Sequence, residues 1–136
     1  MKKTKIVLIS VSVSILAVIL AVVIAATLFV GAFIAGLIYE EHFKKVEIYR
    51  EQSPNNEYVF VLYQVGAPEW PFGPVKAEVR VLDSKGKTLD KESVLVYTDG
   101  ACLTYHYISA VHWEEDSFEI DFSGEKTTSC RLEWNN

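Results

Sequence analysis

Between Ile6 and Ile38 the sequence has no Asp, Glu, Lys, Arg, His, Asn, Gln or Pro, thirty-three consecutive positions without a charge or a proline. A helix apolar on every face needs apolar surroundings all round. The rest of this 136-residue chain is too small to wrap it in protein, which excludes a buried core helix. A cleaved secretory signal fits poorly too, because its apolar region runs to roughly 7 to 15 residues. Lys2, Lys3 and Lys5 do form a basic start, and Ala25, Ala26 and Ala32 are small enough to flank a cut, but the run continues past every such point. No cysteine lies in or just after it, so a lipoprotein-type anchor has no residue to modify.

About twenty apolar residues cross a bilayer core near 30 Å, and this run as a helix reaches about 50 Å, an excess that tilt or emergence at either end absorbs. Ser10, Ser12 and Ser14 lie near one boundary and Tyr39 near the other. The expected organisation is a cytoplasmic tail at 1–5, a transmembrane signal-anchor helix at 6–38, a juxtamembrane linker at 39–45 and an extracytoplasmic β-domain at 46–136. Lys2, Lys3 and Lys5 before the helix are matched by Lys44, Lys45 and Arg50 after it, so the basic flanks tie. The short tail and its free amino group favour the N-terminus inside and the domain outside. Ser10, Ser14, Ala17, Ala21, Ala25, Ala32 and Gly36 make a small-residue stripe of the kind through which helices homodimerise, though an Ala-rich segment produces such stripes by chance.

After residue 45 the absences are of other kinds. No amphipathic helix, internal repeat or low-complexity tract occurs, so parallel α/β folds are not expected. Ten Lys/Arg face all eighteen Asp/Glu from Glu40 onward, a formal charge of −8 that repels phosphate backbones and disfavours nucleic acid. Glycine-rich phosphate loops, nucleophile elbows and Ser-x-x-Lys are missing, which argues against an enzyme, and no cofactor site is apparent. The only two cysteines, Cys102 and Cys130, lack metal-ligand spacing. In an extracytoplasmic domain they read either as a disulfide that stabilises by roughly 3 to 4 kcal/mol or as two buried free thiols.

What the region does contain is alternation. Glu57–Val65 is dense in β-branched and aromatic residues with apolar side chains at both parities, as in a central strand. Val75, Ala77, Val79 and Val81 alternate with Lys76, Glu78 and Arg80; Phe118, Ile120 and Phe122 with Glu119 and Asp121; Cys130, Leu132 and Trp134 with Arg131 and Glu133. Val46–Glu51, Ser93–Thr98 and Tyr105–Trp113 complete about seven strands. Turn signals separate them at Ser53-Pro54-Asn55-Asn56, Ser84-Lys85-Gly86-Lys87, Asp99-Gly100, Glu115-Asp116 and Ser123-Gly124. The predicted fold class is an all-β domain, an antiparallel sandwich or meander, behind one transmembrane helix.

One loop departs from this pattern. Gly66–Pro74 holds three of the four prolines, with Trp70 and Phe72 among them. Trp70, Pro71 and Phe72 read as a rigid contact surface for a partner, a peptide or a glycan, or as a lid folded over an open end of the sheets; the lid is the preferred expectation. His106 and His112 share parity on one presumed strand roughly 20 Å apart, too far for one metal. Ser109 has no motif around it. Glu114-Glu115-Asp116 reads as a solvated acidic turn rather than a calcium site.

Ser53-Pro54-Asn55-Asn56-Glu57-Tyr58, the Val65–Pro74 stretch with its WPFG element, Asp99-Gly100-Ala101 and Val111–Asp116 together resemble uncharacterised membrane-anchored or lipid-anchored proteins of Gram-positive bacteria. The resemblance covers most of the soluble part and implies a cell-envelope location, with no activity or site residue to transfer. The expected function is a single-pass membrane protein whose acidic β-domain binds something or braces a complex at the outer face, in contact with the lipid bilayer and a protein partner. The alternative is an immunity or inhibitor protein that neutralises a basic toxin or enzyme at the membrane.

Overall fold

The computed structural model describes residues 2–135 and divides into two units, 1–38 and 39–136. The first is helix, part of α1 (Lys2–His42). Its segment from Val11 onward is long and apolar enough to cross a membrane. Every described side chain from Val11 to Ile38 is exposed, among them Phe29 and Phe33. The side chains of the expected tail, Lys2, Lys3 and Lys5, and of Ser10 in the stripe lie outside the described set.

The second unit begins with the last turn of α1, which runs four residues further than expected because Tyr39, Glu40 and Glu41 are all compatible with a helix. Lys44 pairs with Glu40 one turn back at 3.1 Å, and the N–H groups of Phe43 and Lys44 both close on the Tyr39 carbonyl. Only Phe43 and Lys44 then separate helix from sheet: of the expected linker at 39–45, residues 39–42 are helical and Lys45 opens the first strand.

Seven antiparallel strands follow in two sheets: β1 (Lys45–Gln52), β2 (Tyr58–Val65), β3 (Val75–Asp83) and β4 (Thr88–Val96) in one, β5 (Ile108–Trp113), β6 (Ser117–Ser123) and β7 (Thr127–Glu133) in the other. Each sheet is a meander, and the two enclose a shared core, so the domain is a sandwich. Phe60 and Leu62 of β2 and the Val75–Val81 parity of β3 meet Phe118, Ile120 and Phe122 of β6 and Cys130 and Leu132 of β7. The rings of Phe60 and Phe118 lie 4.8 Å apart across the sheets. Burying each such ring is worth roughly 1.5 to 3 kcal/mol.

The second apolar parity of β2 is covered without another layer. Val61, fully buried, has Arg50 and Arg80 as cross-strand neighbours, and Arg80 lies 5.2 Å from the centre of the Tyr63 ring. Beside it the buried Glu78 accepts from Lys45 at 2.7 Å and from Arg80. Long basic stems thus shield apolar surface while their heads stay wet.

The starts of β4 and β5 both differ from expectation by several residues. β4 starts at Thr88 rather than Ser93: Asp90, Lys91 and Glu92 are poor strand formers, but on an edge strand their charges are tolerated and deter pairing with other chains. Asp90 also accepts the Glu133 N–H of β7 at 3.1 Å. Tyr105–Tyr107 forms a 3₁₀ turn instead of extending β5, closed by Tyr107 N–H on the Thr104 carbonyl.

Candidate functional site

The β2–β3 connection is built as a braced base under an exposed tip. Gly66 N–H donates to the Lys44 carbonyl at 2.8 Å, and Ala67 N–H to the Glu41 carbonyl at 2.7 Å. Gly66 has φ +72°, and a Cβ there would stand 2.3 Å from the Glu41 oxygen, so this close approach requires glycine. Inside the loop, Glu69 and Gly73 close a turn with the Pro74 and Glu69 carbonyls. From outside, Gly100 N–H reaches the Gly73 carbonyl at 3.0 Å. Its Cα packs so near Pro71 that a Cβ would meet the Pro71 oxygen at 2.5 Å.

On this base Trp70 is 92% exposed and Phe72 70% exposed, with a cis peptide between Trp70 and Pro71. The expected lid is therefore corrected: neither ring covers the sandwich, and Val65, Val96 and Leu103 are buried without them. Backbone bonds hold the loop away from the core, and the aromatic pair points at solvent.

A second feature lies at the other end of β2. A groove of about 360 Å³ is walled by Tyr58 and Trp113 and rimmed by Pro54, Glu114 and Glu115. Its aromatic walls come from opposite sheets, 55 positions apart in sequence, so periodicity could not pair them. The available signal was that each sits at a strand end beside a turn. Trp113 leans on Phe118 at 4.5 Å, and its Nε1 has no hydrogen-bond partner among the described residues. Glu114 accepts from the Ser117 hydroxyl at 2.6 Å and from Arg131 at 3.0 Å, and these hold its carboxyl below the usual range. The rim is thus an acidic edge on an aromatic wall, the chemistry that receives a cation.

The remaining candidates do not converge. Cys102 and Cys130 are free thiols, a correction to the bridged reading: Cys102 is exposed after β4, while Cys130 turns into the core from β7 opposite Ile120. Burial, with lesser contributions from Glu92 and Asp90, pushes the Cys130 thiol up to about 12. His106 stacks on Tyr105 in the 3₁₀ turn, and His112 faces Asp121 at 3.8 Å on β5, so the two do not share a strand as expected. Ser109 donates to the Asp121 carbonyl and touches neither histidine through a hydrogen bond in the described set. No group of three or more His, Cys, Asp or Glu among the described residues is arranged to hold a metal. Comparison with protein-family models, with curated proteins and with solved structures found no match.

Proposed function

We propose that this chain is a single-pass membrane protein, N-terminus inside, that displays its acidic β-sandwich at the outer face of the membrane as a binding or structural module. The observation that carries the reading is α1, whose apolar side chains from Val11 to Ile38 have no protein cover and therefore call for lipid. Support for a binding role comes from the Trp70-Pro71-Phe72 tip, two exposed rings on a rigid base, an arrangement that loses little conformational entropy on contact. The role is non-catalytic, in keeping with a sequence that contains no nucleophile motif. The bacterial cell-envelope setting draws on the resemblance carried by the Ser53–Tyr58 turn and the WPFG loop.

Washing membranes that contain the full chain with alkaline carbonate tests the anchor. Retention in the pellet is expected, and recovery of uncut, monodisperse protein in the supernatant defeats the reading.

The Tyr58–Trp113 groove favours a second reading, an inhibitor or immunity protein that receives a basic side chain of its target between aromatic walls and the Glu114–Glu115 rim. Titrating the full chain in nanodiscs with arginine amide should shift the Trp113 indole N–H resonance, and Glu114→Gln with Glu115→Gln should abolish the shift. An unmoved resonance removes this reading.

A further inference from the structure

The tip of the β2–β3 loop is an exposed apolar patch that packing leaves unexplained, and chain connectivity points to what covers it. The following rests on the single-pass reading above. If lipid covers the side chains up to Ile38, the hydrocarbon boundary falls at or beyond that residue. Glu41 follows Ile38 by three residues, at most about 11 Å of chain. The polar layer between the hydrocarbon core and bulk water is roughly 5 to 8 Å deep on each side. Chain connectivity therefore keeps the Glu41 carbonyl within reach of that layer, and it accepts the Ala67 N–H at 2.7 Å. A backbone bond ties the loop base to Glu41, and Trp70 follows Ala67 by three residues, at most about 11 Å of chain.

We propose that Trp70 and Phe72 insert into the interfacial layer of the same bilayer that holds α1, their occupant being the headgroup–acyl boundary of zwitterionic phospholipid. Tryptophan is enriched at this depth because its ring is apolar and its N–H is a donor. Attraction is aromatic rather than electrostatic: Glu40, Glu41 and Glu69 surround the base and the domain carries −8, so anionic headgroups are not what the loop seeks. A protein partner fits the tip less well, because two rings on one narrow loop fall far short of the roughly 800 Å² per partner that a stable interface buries. The consequence is a second contact between domain and membrane, in addition to the covalent one.

The test uses the full chain reconstituted in phosphatidylcholine vesicles, with and without brominated acyl chains, beside a Trp70→Tyr variant. No tryptophan lies in α1, so indole emission reports on the domain alone. Brominated lipid should remove up to roughly one-third of wild-type emission, Trp70 being one of three tryptophans, and little from the variant. Trp70 is 92% exposed, so the variant leaves the core untouched. Equal, negligible quenching in both proteins, with Trp70 still open to aqueous iodide, overturns the proposal and leaves the tip to a protein or glycan. Failure of the chain to float with carbonate-washed vesicles overturns the anchor as well, and so separates the two failures.

Discussion

The backbone N–H of Leu103 donates to Oε1 of Gln64 at 2.7 Å, tying the connection between β4 and β5 to a strand 39 positions earlier. The other half of the same amide, Nε2, donates to the Gly66 carbonyl at 2.8 Å. One buried side chain thus fastens both the base of the aromatic loop and the crossing from one sheet to the other. Replacing Gln64 by Leu leaves a buried donor and a buried acceptor unmet and should cost about 1 to 3 kcal/mol for each. Thermal unfolding of the full chain measures this, and a melting temperature equal to wild type would refute the clamp.

Gly66 and Gly86 make a controlled pair. Both hold positive φ, +72° and +79°, but a Cβ at Gly86 meets nothing within 4 Å while one at Gly66 meets Glu41 and His42 backbone. Gly86→Ala should cost only the left-handed penalty of about 1 to 2 kcal/mol. Gly66→Ala should cost measurably more and loosen amide protection at Ala67, read by hydrogen exchange. Equal losses would show that the close approach to the helix end is not fixed.

Glu78 sets an acid-side sensitivity. Burial by itself would raise its pKa, yet the bonds from Lys45 and Arg80, with their positive charges, outweigh burial and hold the carboxyl below its ordinary 4.5. The stability it contributes is complete above that value and drains away as pH falls through the lowered folded one. Glu78→Gln should therefore melt lower than wild type at neutral pH, with the gap narrowing as the solution is acidified below about 4.5. A gap that stays constant or widens with acid contradicts the assignment.

The thiols give a topology readout. An impermeant maleimide applied to intact cells should label the exposed Cys102 without prior reduction, and Cys130 only once the domain is unfolded, because its buried thiol yields almost no thiolate. Labelling confined to lysed cells would reverse the orientation. A requirement for reductant would restore the bridge.

Much of the fold was legible in local pattern. Val75–Asp83 was delimited to the residue because its two parities separate cleanly, and the positive φ at Asn56, Asp99, Gly86 and Gly100 falls within turns marked by Asn, Asp and Gly. The first half of β4 was not legible, since charges that ordinarily break strands are stabilised here by being at an edge. Tyr105–Tyr107 misled for the opposite reason, β-prone residues taken up by a turn.

By itself the sequence determined that an uncharged helix precedes a domain of alternating strands, because hydropathy and alternation belong to neighbours along the chain. Only the tertiary structure decided that the strands divide four and three, that Trp70 stands in the open, that Cys102 and Cys130 remain apart, and that Tyr58 and Trp113 line one groove. Each of these depends on what a distant element covers or leaves bare, and burial of that kind has no local signature.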